Sequence, residues 1–194
     1  MRSHPDLKTM QGQLRRSLVL LACACVAGCS GRPERAQAAG PVEVEASSAG
    51  ELQRGTPVPD VPFTLQDKFQ LQLPAMKGKI IAVFFCAALD DPQCLREADV
   101  LGEHHAQLHD DHHVVIIGVS PATPQAHKAF LAARHLPLDF ASDPDGRIAR
   151  AFAITEPHAE LRMVVIDKQG LVRAVWHGRD PDRHVRDLLG VARE

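Results

Sequence analysis

Cys94 has the local sequence of a nucleophilic cysteine. Pro92 predicts that a helix begins there, because proline suits the first helical turn, and Asp91 can cap that helix. A cysteine just inside a helix N-terminus meets unpaired backbone N–H groups and the positive end of the helix dipole. Both favour the thiolate, which is the reactive form of cysteine. We therefore predict a reactive thiol at Cys94, and the alternative is a buried, inert cysteine.

Cys86 is the other cysteine in the body of the chain, and two interpretations of it stay open. It ends a continuous apolar run, so it can simply fill the core, as cysteines often do. In an oxidising compartment it could instead pair with Cys94. Because Cys86 ends a strand and Cys94 starts the next helix, we expect such a bridge to need local unwinding. Cys86 is thus a second candidate thiol, with the core role favoured.

Histidines form a second group with chemical potential. His105 and His109 are spaced i, i+4 and share one helical face, a spacing that can bind zinc or copper. No further cysteine or carboxylate ligand is obvious, and a solvated helix end explains the group equally well. We therefore expect no metal site and no cofactor. The five histidines within ten residues are His104, His105, His109, His112 and His113.

The elements that must position these residues alternate between strands and helices from residue 57 onward. Two apolar runs predict strands buried on both faces, and a turn at residues 167–170 joins two more strands. Residues 63–66 and 71–73 predict a short N-terminal hairpin. This order predicts an α/β fold with a central sheet flanked by helices. The buried strands cover residues 79–86 and 114–119, the joined pair covers 163–166 and 171–176, and the helices cover 92 to about 109, 123–134 and 181–191.

The first residues have the pattern of an export signal. Arg15 and Arg16 precede an apolar run too short to span a bilayer, which ends in Val26-Ala27-Gly28-Cys29. This ending resembles the bacterial lipobox, whose cysteine is acylated and becomes the new N-terminus. We therefore expect a lipoprotein signal peptide at residues 1–28, a lipidated Cys29 with a flexible tether at 29–55, and a folded domain at 56–194.

The expected location is the bacterial cell envelope, facing the periplasm. Ser30 stands where an inner-membrane retention aspartate would lie, so the outer membrane is favoured. The net charge of -2 argues against a nucleic-acid partner, which would require a basic face.

Several motifs, taken in order, resemble the Q-type peroxiredoxins, also called bacterioferritin comigratory proteins, of the AhpC/TSA group. The resemblance covers roughly residues 55–192 and implies a thioredoxin-like fold with a mixed sheet. It also implies reduction of hydroperoxides by a peroxidatic cysteine at Cys94, with electrons supplied by an external, thioredoxin-like thiol. The matching segments are residues 59–67, 77–79, 117–120 with His127 and Phe130, 136–138, 142–146 and 165–167.

Other site residues follow from this resemblance, although three signature positions differ. Glu97 stands where the family commonly has an acid that orients the site. Asp91 replaces the family threonine or serine, and Ala87 replaces its proline. The family arginine aligns with Leu161, and Arg162, one place later, is the candidate catalytic arginine, although a strand would turn it to the other face unless a bulge intervened. The resolving position five residues after Cys94 is Asp99, so that route is closed.

Three functions are consistent with these residues. The leading hypothesis is a membrane-anchored, thiol-dependent peroxidase with antioxidant function. The second is a catalytically degenerate redoxin domain that acts as a binding or scaffold module. The third is a thiol–disulfide oxidoreductase, which is disfavoured because Asp91 replaces the first cysteine of a C-x-x-C motif and no proline precedes Met163.

Overall fold

We describe a computed structural model of the protein, which covers residues 52–154, 161–178 and 180–194. The expected signal peptide, Cys29 and nearly all of the expected tether lie outside the described residues. In the described part of the chain, no helix is both long and apolar enough to traverse a lipid bilayer.

Seven strands of the described residues form one mixed sheet, in the order β2-β1-β5-β4-β3-β6-β7. The central strands β3, β4 and β5 are parallel, whereas β6 pairs antiparallel with β3 and β1 pairs antiparallel with β5. The predicted α/β fold with a central mixed sheet and an N-terminal hairpin is confirmed. The strands are β1 (Pro62–Leu65), β2 (Gln70–Gln72), β3 (Ile80–Phe85), β4 (Val114–Ser120), β5 (Asp139–Ser142), β6 (Arg162–Ile166) and β7 (Val172–His177).

Helices flank this sheet, and each of the longer ones begins at a proline that follows a polar cap. Asp91, Thr123 and Asp180 each accept backbone N–H bonds of the helix that they precede, which satisfies donors that a helix leaves open. The helices are α1 (Pro92–Glu103), α2 (Pro124–Arg134), α3 (Arg147–Ala151) and α4 (Pro181–Ala192).

Helix α1 is shorter than predicted. It ends at Glu103 rather than near residue 109, and a π-helical turn follows at Gln107–Asp111. His104 explains the break, because its ring Nδ1 bonds to the Val100 carbonyl oxygen at 3.0 Å, beside the backbone bond to the same oxygen. Side chains that compete for helix carbonyls in this way disturb the regular ladder.

The core lies on both faces of the sheet, and β3 contributes to both because its side chains alternate. On one face, Ile81, Val83 and Phe85 pack in a cluster that includes residues of α3. On the other face, Ala82 and Phe84 pack with Cys86, Cys94 and the buried residues of α1 and α4. The alternation of β3 therefore decides which side chains can reach the cysteines.

Candidate active site

Cys94 lies in the first turn of α1, immediately beyond the loop that follows β3. Asp91 accepts hydrogen bonds from the backbone N–H groups of Gln93 at 2.8 Å and of Cys94 itself at 3.1 Å. The predicted cap is therefore present. Cys94 is 1% exposed. Cys94 is the third residue of the helix, and an acidic side chain already accepts hydrogen bonds from two of the N–H groups at this helix start.

Cys86 and Cys94 form a disulfide, with their Cα atoms 5.4 Å apart. This spacing is within the ordinary range for bridged cysteines. Helix α1 still begins at Pro92, and the Cys86 N–H still donates to the Val119 carbonyl oxygen at 2.8 Å. The expectation that bridging would unwind this junction is therefore wrong, because the loop of residues 86–91 alone brings the helix start back over the strand end.

Arg162 is not brought to the cysteines. It pairs with Phe85, so both side chains project from the face of the sheet opposite Cys86 and Cys94. The one irregularity in β6 falls at Val165 and Ile166, in the pairing with β7, and does not correct the offset. Leu161 instead lines a hollow beside Asp91 and Glu97. An apolar side chain occupies the place in which the resemblance implies an arginine.

Glu97 is buried below the start of α1 and has a partner that the sequence did not suggest. The distance from His184 Nδ1, on α4, to Glu97 Oε1 is 2.9 Å. The side chain of His184 is 4% exposed and that of Glu97 is 1% exposed. Because a carboxylate can only accept, the imidazole donates this bond. Trp176 stacks on His184, with ring centroids 5.8 Å apart. Glu97 thus ties the helix that carries Cys94 to α4.

Asp99, at the position of the resolving cysteine in Q-type proteins, forms an ion pair with Arg134. The pair joins α1 to α2 on the surface and serves a structural role.

The histidines near the end of α1 include a stacked pair, His105 and His109, whose ring centroids are 5.0 Å apart. Within the described ranges, no group of three or more potential metal ligands is found.

A small cavity of about 90 Å³ lies beside Cys86. Its lining is mainly apolar, with Ser120 and Asp143 as the polar residues. Asp143 caps α3 by accepting from the N–H groups of Ile148 and Ala149, each at 2.9 Å. Cys94 does not line this cavity. The lining residues are Phe85, Cys86, Val119, Ser120, Pro121, Asp143, Pro144, Gly146 and Ala149.

Ser120, which lines this cavity, is hydrogen-bonded to the buried His127. The distance from Ser120 Oγ to His127 Nε2 is 2.7 Å, and His127 is fully buried between Ser120 and Phe140. Burial lowers the pKa of His127 to about 4, so its ring is neutral at physiological pH. A neutral ring fits this site, since no charged partner faces it in the described residues.

The buried His127 makes stability depend on pH. The unfolded chain binds a proton near pH 6.5, whereas the folded protein binds it only near pH 4. We expect the free energy of unfolding to be largest above pH 6.5 and to fall as the pH drops toward 4, by up to about 3 kcal/mol. Urea unfolding at a series of pH values checks this. His127→Gln should flatten the profile, and His135→Asn at an exposed site should not; an unchanged profile in His127→Gln would contradict the assignment.

Asp91 should oppose ionisation of Cys94 in the reduced protein, because a nearby negative charge disfavours a thiolate. We expect Asp91→Thr to lower the pKa of the Cys94 thiol, measured by thiolate absorbance or by the pH dependence of alkylation. Asp91→Asn is the matched control, since it keeps the size and the cap but removes the charge. Equal pKa values in the wild type and both variants would show that the charge has no effect.

Comparison with known proteins identifies the family of the chain. The AhpC/TSA family model matches residues 54–175. A bcp-type peroxiredoxin of Coxiella burnetii is 28% identical over 129 residues, which cover 62% of this chain and 85% of the relative. A chloroplastic peroxiredoxin Q of Populus jackii is 25% identical over 146 residues, covering 72% of this chain and 67% of the relative.

Solved structures show the same fold at low sequence identity. Peroxidoxin BcpB of Mycobacterium tuberculosis gives a TM-score of 0.66 at 20% identity, covering 74% of this chain and 97% of that one. A peroxiredoxin Q of Xanthomonas campestris gives 0.63 at 21% identity, covering 73% and 95%.

The fold and the family match together show a peroxiredoxin-type domain of the thioredoxin-like fold, and the Q-type relatives indicate a thiol-dependent peroxidase. Enzymes of this class act on hydroperoxides and take electrons from a thioredoxin-like reductant. The chain belongs to the AhpC/TSA family.

Proposed function

We propose that the protein is a membrane-anchored peroxidase of the bacterial envelope that reduces hydroperoxides at Cys94. The observation that carries the proposal is the Cys86–Cys94 disulfide at the junction of β3 and α1. A disulfide is what remains after a reactive thiol has been oxidised and a second thiol has condensed with it. We assign the attacking thiol to Cys94 because it lies at a helix N-terminus, whereas Cys86 follows the end of a strand.

The first half of the reaction needs only the Cys94 thiolate and the peroxide. The thiolate attacks one oxygen of the O–O bond, that bond breaks, and Cys94 becomes a sulfenic acid. The other oxygen leaves with its substituent and takes up a proton, giving an alcohol from an alkyl hydroperoxide or water from hydrogen peroxide. Two electrons pass from sulfur to oxygen, and a thioredoxin-like dithiol later returns them.

Reduced full-length protein tests this function in detergent. With a dithiol donor, it should consume hydrogen peroxide and cumene hydroperoxide over many turnovers, and dimedone should trap a sulfenic acid on Cys94 when the second thiol is blocked by Cys86→Ala. Absence of both turnover and trapped sulfenic acid would leave the degenerate scaffold as the better reading, since Asp91, Ala87 and Leu161 replace three signature residues.

Thiol–disulfide exchange is a second candidate, and the same disulfide favours it. An exchanger would reduce the disulfides of insulin, or oxidise a reduced peptide, at a rate comparable with its turnover of peroxide. A peroxidase would be oxidised by a hydroperoxide far faster than by a peptide disulfide. Stopped-flow measurement of both reactions on one reduced sample separates the two functions.

The anchor follows from the sequence of residues 26–29, Val-Ala-Gly-Cys, which resembles a lipobox. Two acyl chains on Cys29, with an acylated amino terminus, would hold the enzyme firmly at a bilayer, since each buried CH₂ adds about 0.8 kcal/mol. We expect Cys29→Ala to move the expressed protein out of the membrane fraction. Mass spectrometry of the N-terminal peptide should show the acyl mass in the wild type. An unmodified wild type in the soluble fraction would remove the anchor from the proposal.

A further inference from the structure

We propose that Cys86 is the resolving cysteine of this enzyme and that the reductant attacks the disulfide at Cys86, through the cavity beside it. This inference rests on the proposed peroxidase function for its first step. The family resemblance implies a resolving cysteine five residues after Cys94, but in this chain that position is Asp99. Asp99 is engaged with Arg134 and carries no sulfur.

The backbone at both cysteines is held in place while the bridge exists. The Cys86 N–H donates to Val119, and the Cys94 N–H donates to Asp91. The strand end and the helix start already stand at the Cα distance that a disulfide requires. Resolution therefore needs only side-chain rotation, and α1 can stay folded throughout the cycle.

Condensation conserves atoms and electrons without a further reactant. The Cys86 thiolate attacks the sulfur of the Cys94 sulfenic acid, an S–S bond forms, and the S–O bond breaks. The departing hydroxide takes up the proton that Cys86 released, giving water. The disulfide is then two electrons more oxidised than the pair of thiols, and the reductant must supply these two electrons.

Access distinguishes the two sulfurs of the disulfide. Cys86 is among the residues that line the cavity of about 90 Å³ and Cys94 is not, and the two residues are 4% and 1% exposed, respectively. That volume is smaller than the apolar cavity of roughly 150 Å³ that holds a benzene ring in an engineered protein. It suits one cysteine side chain of a dithiol reductant, whose methylene would meet the apolar lining of Val119, Pro121 and Ala149.

The two possible leaving groups differ in their surroundings. When a reductant thiolate bonds to Cys86, the Cys94 sulfur departs as a thiolate at the N-terminus of α1, where the helix dipole favours the thiolate and the charge of Asp91 opposes it. The second thiol of the reductant then attacks the mixed disulfide and releases the Cys86 thiolate, which takes up a proton. Attack at Cys94 would expel a thiolate from the end of a strand instead.

Rapid trapping on the oxidised full-length wild type tests the direction. The protein is mixed with a thioredoxin whose second active-site cysteine is replaced by serine, and quenched within milliseconds with N-ethylmaleimide. Cleavage before Asp90 and Asp91 separates Cys86 from Cys94. We expect the reductant on the Cys86 fragment and maleimide on the Cys94 fragment, in at least ~10-fold excess over the reverse pattern. The reverse pattern, or an even mixture, overturns the direction of attack.

A second measurement tests the resolving role and separates it from the peroxidase proposal. Reduced wild type given one equivalent of peroxide should lose both thiols and form the 86–94 bridge, whereas Cys86→Ala should keep a Cys94 sulfenic acid that dimedone traps. If the wild type also accumulates a persistent sulfenic acid, Cys86 is not the resolving cysteine but peroxidase chemistry stands. If neither protein forms a sulfenic acid or a disulfide with peroxide, the peroxidase function fails, while the trapping experiment still decides where a reductant attacks.

Discussion

Replacing Cys94 with serine should abolish peroxide reduction, lowering the rate with hydrogen peroxide or cumene hydroperoxide by at least ~10³-fold to the background of the dithiol alone. A serine hydroxyl at a helix N-terminus does not ionise near neutral pH, so it cannot attack the O–O bond. The replacement is nearly isosteric, and the Asp91 cap does not depend on sulfur. Loss of activity should therefore occur without loss of fold, which circular dichroism and the unfolding midpoint can verify under reducing conditions.

The matched variant is Cys86→Ser, which removes the bridge equally but leaves the Cys94 thiol. It should still consume one equivalent of peroxide at a rate close to that of the wild type. It should then inactivate at high peroxide, because an unresolved sulfenic acid proceeds to the sulfinic acid. Two results would show that Cys94 is not the reactive cysteine. One is equal single-turnover rates for Cys94→Ser and the wild type, and the other is loss of the first turnover in Cys86→Ser alone.

The largest effect on stability should come from breaking the Glu97–His184 pair. His184→Leu leaves the Glu97 carboxylate buried without its donor, and removal of one partner from a buried pair costs about 3–5 kcal/mol. Because the pair joins α4 to the helix that carries Cys94, the variant should also loosen the start of α1. Urea unfolding of the oxidised proteins measures the first effect, and the rate at which a dithiol reduces the bridge measures the second.

The double variant Glu97→Leu/His184→Leu provides the control. Replacing both partners by apolar side chains removes the uncompensated charge, so the double variant should be more stable than His184→Leu alone. The coupling from the double-mutant cycle should exceed ~1 kcal/mol. If the two single effects add without coupling, the pair does not stabilise the protein as a unit.

The sequence predicted the elements that carry strong local signals. The buried run ending at Cys86, the proline-started helices and the capping aspartate at position 91 are local patterns, and the structure has all of them. It did not predict β5, since Asp139–Ser142 has only two buried residues and takes its strand conformation from pairing with β4 and β1. Tertiary pairing of this kind has no local pattern.

The candidate site was only partly predictable from the sequence, again because some of its contacts are tertiary. Arg162 was predicted as a candidate catalytic residue that would need a bulge to reach Cys94, and the register with Phe85 places it on the opposite face instead. The partner of Glu97 lies 87 residues away, on a helix whose packing no local pattern reveals. The sequence favoured a core role for Cys86 over a disulfide, because it does not reveal how closely the intervening loop brings the helix start to the strand end.

The bridge between residues 86 and 94 also links the folding stability of the protein to its catalytic cycle. It closes a loop over a sequence separation of 8, and such a cross-link raises the free energy of unfolding by about 2.5 kcal/mol through the entropy of the unfolded chain. The oxidised enzyme, which must next react with its reductant, is therefore more stable than the reduced enzyme, which must next react with peroxide. A melting curve would therefore report the oxidation state of the protein, and oxidising conditions would hold most of it in its more heat-resistant form.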